Sequence, residues 1–206
     1  MNVSFSEPIA FHQLIGPHGL MTTDQPNEQY TQWVGFREAA GHVLVSGLGL
    51  GMVVGMILKQ PGVKSVTVVE KQSEVIALTT PYLQSLKTDR VRVVHQDIFK
   101  FLDARRPAFY DFAYHDIWYG TNEGTWAEIV VPLWSATRRA GINQIGGWCE
   151  REMQGQLFTG LFSAAFTYPH HEWKPYRVFL DALECELGRC KAVEGDEERV
   201  AKLIKF

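Results

Sequence analysis

The chain has 206 residues, of which 46% are apolar and 21% charged, and a formal net charge of −3. That length suits a single domain with a substantial core and modest additions. The charge argues against a general nucleic-acid surface, which would be basic. No uninterrupted apolar run reaches membrane-spanning length, and no basic region precedes an apolar segment at the N-terminus, so neither a membrane span nor a secretory signal is expected. Cys149, Cys185 and Cys190 form neither a disulfide framework nor a zinc spacing, which fits a reducing cytoplasm. The only arginine pairs, Arg105–Arg106 and Arg138–Arg139, read as solvated helix ends.

Residues 1–26 mix apolar and loop residues, with Gly16-Pro17 and Gln25-Pro26 as turn signals and a short strand or cover around Phe11, Leu14 and Ile15. From Asn27 to Ala40 the pattern is helical, with Tyr30, Trp33, Val34 and Phe36 expected inward and Glu28, Gln32 and Arg37 outward. Val43, Leu44 and Val45 then make a short β-branched run suited to a strand buried on both faces. Gly47, Gly49 and Gly51 follow, alternating with Leu48 and Leu50, and a helix begins at once through Met52, Val53, Met56 and Ile57. Glycines at a strand-to-helix turn let the backbone take positive φ and approach a ligand closely.

SVTVVEK, residues 65–71, reads as the second strand, ending at Glu70, nineteen residues after Gly51. In doubly wound folds an acid at this point accepts hydrogen bonds from ribose hydroxyls. A helix through Val75, Ile76 and Leu78 is expected to break near Pro81, with Leu83 and Leu86 continuing its apolar face. VRVV, residues 91–94, is the third strand, and Asp97 heads a helix over Ile98–Leu102 as its N-cap. YDFAYHDIWYG, residues 110–120, reads as the fourth strand, carrying His115, Asp116, Trp118 and Tyr119. Residues 123–139 form a helix with Trp126, Ile129, Val130, Leu133 and Trp134 on its apolar side, kinked or divided at Pro132. INQIGGW, residues 142–148, is the fifth strand, weakened by its glycines. Helices are expected over 150–166 and Val178–Leu187 and from about Asp196, with His170-His171 on a loop that is a poor metal site. No metal centre is expected.

The glycine spacing discriminates among cofactors. A dinucleotide fingerprint needs a sixth-position glycine, and counting from Gly47 that position is Met52; no Gly-Lys-Ser/Thr of a phosphate-binding loop follows either. With Gly47, Gly49, Gly51 and Glu70 so placed, the chain resembles the class I S-adenosylmethionine-dependent methyltransferases, in the branch similar to spermidine synthases, over about residues 27–147. The resemblance implies an α/β, Rossmann-like, doubly wound and mostly parallel sheet with a short N-terminal extension and a helical C-terminus, lacking some late strands. It implies one domain over 1–206, with cover and helix in 1–40, a cofactor-binding core in 41–148 and a helical part in 149–206.

For the site, the resemblance implies S-adenosylmethionine, leaving as S-adenosylhomocysteine, against Gly47, Leu48, Gly49 and Gly51, with Glu70 and the adjacent Lys71 at the ribose. Asp97 and Ile98 would hold the adenine, and Asp116 would close the cofactor site where methyl and acceptor meet. Asp116, His115 and Tyr119 are the candidates for catalysis, in that order for the first two; alternation along the strand sends His115 and Asp116 to opposite faces, and His115 reads equally as a core histidine. The acceptor is a small molecule or a protein, and a homodimer is compatible with the chain. Two alternatives stay open. One is a polyamine aminopropyltransferase, although Tyr119 stands where those enzymes place a second aspartate. The other is a silent cofactor-binding or scaffold protein.

Overall fold

Three β-branched runs separated by helical patterns demand a parallel sheet, because each strand must return by a crossover. In the computed structural model the residues described are 10–17, 19–104, 109–121 and 125–156. The helices expected over Val178–Leu187 and from Asp196, together with His170-His171, Cys185, Cys190 and Arg105–Arg106, lie outside the described residues. The chain divides into two compact units. One holds the sequence up to Tyr119 with Ala140–Trp148; the other holds Gly120–Arg139 and the chain from Cys149.

The first unit opens with an antiparallel hairpin of β1 (Gln13–Gly16) and β2 (Gly19–Thr23), turned at Gly16-Pro17. The expected short strand is therefore one arm of a pair. Helix α1 (Pro26–Phe36) follows, with Pro26 in its first turn, where the missing N–H costs nothing. Its inward stripe is Glu28, Gln32 and Phe36, at a spacing of four. This corrects the expected facing: Gln32 is 1% exposed, whereas Tyr30 is 64% and Trp33 40% exposed.

Five parallel strands make the main sheet: β3 (Gly41–Ser46), β4 (Val63–Glu70), β5 (Val91–His95), β6 (Phe112–His115) and β7 (Ile145–Gly147). Their order is β5-β4-β3-β6-β7, a Rossmann-like doubly wound arrangement. The chain runs outward from β3 to β5 and then crosses to the other side of β3. This places the switch in direction between β3 and β6, where such sheets open a crevice at strand C-termini. Side-chain alternation assigns the faces. Val43, Val45, Val66, Val68, Phe112 and Tyr114 join one core with Phe36 of α1 and with Val53, Val54 and Ile57 of α2 (Met52–Leu58). Phe36 meets Tyr114 edge to face, with ring centroids 5.6 Å apart at 87°.

The fourth strand is shorter than expected, because β6 stops at His115, opposite Ser46, and the chain from Asp116 on is loop. Conversely, α3 (Ser73–Ser85) runs through Pro81 without a break. Pro81 leaves the Ala77 carbonyl without its helical donor, but both residues are exposed, so water can serve that carbonyl. The glycines of β7 have a packing role. A Cβ on Gly146 would lie 1.9 Å from the Gly35 carbonyl oxygen, and one on Gly35 would lie 2.5 Å from that of Gly147. Those three bare positions let α1 rest directly on β7. Helix α4 (Ile98–Asp103) completes this unit.

In the second unit, α5 (Val131–Arg139) is preceded by a π-helical stretch, Trp126–Val130. The wide turn lies immediately ahead of Pro132, where an α-helical ladder would be broken. Trp126 and Trp134 pack at 5.5 Å and 69°, and the Arg138 guanidinium lies 5.8 Å from the Trp134 ring centre. Arg138 thus covers an aromatic face as well as ending a helix. Residues 150–156 are helical. No helix among the described residues is long and apolar enough to cross a membrane.

Candidate functional site

Gly47, Gly49 and Gly51 all have positive φ, at 89°, 49° and 75°. L-residues rarely adopt that conformation, so the three glycines are required by the path of the chain as well as by space. A Cβ on Gly47 would stand 2.2 Å from the Asp116 carbonyl oxygen, so the ends of β3 and β6 approach as closely as backbone allows. Gly51 is buried under α3, where its Cβ would meet Thr79 at 2.7 Å and Tyr82 at 2.8 Å. Thr22 of β2 lies against Gly49 from the other side. A narrow cleft results, lined by Thr22, Gly47–Leu50, Met52, Val53, Tyr114 and Asp116.

Glu70 ends β4 beside this loop and is 8% exposed. Its Oε2 accepts the Leu48 N–H at 2.8 Å and its Oε1 accepts the Gln72 N–H at 2.7 Å. A carboxylate offers about four acceptor positions, so two remain for a ligand. Next along the sheet, Asp97 caps α4 through the Phe99 N–H at 3.0 Å and the Lys100 N–H at 3.4 Å. Lys71 reaches the same carboxylate at 3.4 Å. Partial burial pushes the Asp97 carboxyl up, but the Lys100 and Phe99 amides and the Lys71 ammonium outweigh it and hold it below the usual value. Ile98 is buried behind this cap.

Asp116 follows β6 and points to the same face as Tyr114, two residues before it. Its Oδ2 accepts from Gln32 Nε2 at 2.8 Å, and that amide also donates to Glu28 Oε1 at 3.2 Å. The Tyr114 hydroxyl donates to Gln32 Oε1, which orients the amide with its NH2 toward the two carboxylates. Burial pushes the Asp116 carboxyl up to about 7; the Gln32 bond pulls it down and the Glu28 charge adds to the rise. Part of Asp116 remains accessible, so water tempers that rise. Burial likewise raises Glu28, with Gln32 opposing. Sequence reasoning placed Gln32 on the solvent face and gave it no part in the site. The available signal was Glu28, Gln32 and Phe36 spaced by four, one stripe of a helix ahead of the first sheet strand.

The other two residues singled out for catalysis, His115 and Tyr119, are not among those lining this cleft. His115 is fully buried, and its Nδ1 lies 2.6 Å from the Ser46 hydroxyl. Burial alone lowers its imidazole to about 3, so it is neutral and belongs to the core on the face opposite Asp116. Tyr119 is 52% exposed on the loop beyond Asp116. Between them Trp118 is 3% exposed, and its indole N–H has no partner among the described residues. Among the described residues no group of three side chains could hold a metal.

No family model matches the chain. The chain is similar to a polyamine aminopropyltransferase. It shares 39% identity over 77 residues with polyamine aminopropyltransferase 2 of Caldanaerobacter subterraneus subsp. tengcongensis, covering 36% of this chain and 26% of that protein. The chain thus spans about a quarter of that relative's length. Solved structures similar to it include the spermidine synthase of Thermotoga maritima, with a TM-score of 0.41 and 18% identity over 52% of this chain and 41% of that one. They also include phosphoethanolamine N-methyltransferase 2 of Haemonchus contortus, solved with S-adenosyl-L-methionine, with a TM-score of 0.42 and 15% identity over 54% of this chain and 25% of that one.

Proposed function

We propose that the cleft at the C-terminal ends of β3, β4 and β6 binds S-adenosylmethionine and that the chain transfers its methyl group to an acceptor beside Asp116. The observation that carries this reading is Glu70: a nearly buried carboxylate, bonded to the glycine loop, keeps acceptor positions beside three positive-φ glycines. That arrangement fits a ribose diol. Asp97 and Ile98, at the next strand end, would hold the adenine. When bound, the cofactor supplies an electrophilic methyl on a sulfonium sulfur. The protein's part is to place the acceptor in line and to receive any proton it loses. Asp116 suits that part because its carboxyl is raised toward neutral pH and Gln32 fixes its orientation. The test is transfer of labelled methyl to small-molecule and protein acceptors, with S-adenosylhomocysteine formed in equal amount and Asp116→Asn much slower than the parent. Cofactor binding without any transfer would leave the silent, scaffold reading.

A second reading has its own support. Glu28 and Asp116 converge on one amide of Gln32, and such a pair of carboxylates favours a cationic amine. Together with the curated relative this favours aminopropyl transfer to an amine, against which Tyr119 replaces the expected second aspartate. Donor and product discriminate: aminopropyl transfer needs decarboxylated S-adenosylmethionine and releases methylthioadenosine, whereas methyl transfer from S-adenosylmethionine releases S-adenosylhomocysteine.

A further inference from the structure

Thr79 belongs to no motif noted in the sequence, yet it touches the glycine loop twice. It lies on α3, is 5% exposed, and its hydroxyl donates to the Gly49 carbonyl at 2.7 Å. Its methyl would also meet a Cβ on Gly51 at 2.7 Å. Two of the three positive-φ glycines are thus held from α3 by one side chain.

The bond does more than fill space. In a planar trans peptide the carbonyl and the following N–H point in opposite directions, and there is no cis peptide among the described residues. Drawing the Gly49 carbonyl onto α3 therefore turns the Leu50 N–H away from α3. Leu50 lines the cleft with Thr22 and Asp116. Among the described residues no acceptor takes the Leu50 N–H, whereas the Leu48 and Gly51 amides of the same loop are both bonded, to Glu70 and to the Leu48 carbonyl. A lone hydroxyl bond between distant elements would ordinarily be read as packing. Here it fixes a peptide of the cleft lining whose donor is unspent, as the Gly49 N–H also is among the described residues.

We infer that Thr79 is a positioning residue for the glycine loop, its hydroxyl setting the Gly49–Leu50 peptide so that the Leu50 N–H is presented to an acceptor atom of the bound cofactor. This rests on the cofactor reading given above. The test is calorimetry with S-adenosylhomocysteine on the full chain and on Thr79→Val, Thr79→Ser and Thr79→Ala, with amide hydrogen exchange of the unliganded proteins. Thr79→Val keeps the shape and removes the donor. It should bind about three- to tenfold more weakly than the parent, the worth of one neutral hydrogen bond. Thr79→Ser should restore parental affinity, and Thr79→Ala carries the test should the valine variant not fold. The Gly51 amide should exchange faster in Thr79→Val than in Thr79→Ser, with β4 unchanged. Parental affinity in Thr79→Val, or an equal loss in Thr79→Ser, overturns the inference while leaving the cofactor reading intact. A parent protein that does not bind S-adenosylhomocysteine removes both.

Discussion

The Leu48 amide donates to Glu70 Oε2 at 2.8 Å, so the acid that ends β4 holds the glycine loop that follows β3. Glu70 is thereby structural before any ligand arrives. Glu70→Ala removes the acceptor from two backbone amides at a nearly buried site. Bonds to charged groups contribute roughly 1.5–3 kcal/mol each, and water entering the gap recovers part, so a net loss of about 2–3 kcal/mol is expected. Glu70→Gln keeps one carbonyl acceptor and should lose less. Urea unfolding of the unliganded proteins checks this, and parental stability in Glu70→Ala would contradict it.

The glycines should differ in their tolerance of a methyl group. At Gly47 a Cβ meets backbone, the Asp116 carbonyl at 2.2 Å, which cannot rotate away. At Gly49 it meets only the Thr22 methyl, at 3.1 Å. Gly49→Ala should therefore cost mainly its positive φ, about 1–2 kcal/mol. Gly47→Ala adds overpacking and should exceed roughly 3 kcal/mol. Thermal unfolding of the two variants reads the order directly.

Gln32 ties α1 to the end of β6, and its loss should be felt at both. Gln32→Leu keeps the volume but leaves the Tyr114 hydroxyl and the Asp116 carboxylate without their bonds to its amide. Losing such bonds at buried groups costs about 1–3 kcal/mol. The same variant should raise the Asp116 carboxyl further, because the Gln32 bond is what lowers it. Chemical unfolding and an Asp116-resolved NMR titration would test the two halves separately.

Two buried groups give opposing pH dependences. Asp116 has a folded value raised to about 7 from 3.8, so the folded state binds more protons between those values and stability falls as pH rises through them. His115 is lowered to about 3 from 6.5, so the unfolded state binds more protons there and stability rises with pH. Between about pH 4 and 6.5 the two slopes oppose each other. Asp116→Asn removes one of them, and stability of that variant should climb more steeply with pH over this window than that of the parent. A slope equal to the parent's would show Asp116 to be ionised throughout.

Much of this was legible because it depends on local chemistry. Val43–Val45, the glycines and Glu70 specify strand, turn and strand end by residue type alone, whereas the doubly wound sheet was what the family resemblance implied. Gln32 was not legible, because a polar residue on an amphipathic helix reads as solvent-facing. Only the tertiary placement of Tyr114 and Asp116 makes it core. Gly146 and Gly147 looked like weaknesses in a strand until α1 was seen resting on them. The continuous helix through Pro81 has the same origin, since only the fold shows that its orphaned carbonyl faces water. The close of the fourth strand at His115 depends on another segment rather than on its own residues, because its partner Ser46 ends β3 and the chain turns away at Gly47.

The central claim is that the loop from Gly47 to Gly51 and the Glu70 carboxylate together form a site for S-adenosylmethionine. Isothermal calorimetry of the parent and of Glu70→Ala, each with S-adenosylhomocysteine and with NAD, tests it most directly. The account predicts that the parent binds S-adenosylhomocysteine and not NAD, and that Glu70→Ala binds roughly thirty- to a hundredfold more weakly, the equivalent of about 2–3 kcal/mol. NAD binding tighter than S-adenosylhomocysteine, or a folded Glu70→Ala with parental affinity, would contradict it.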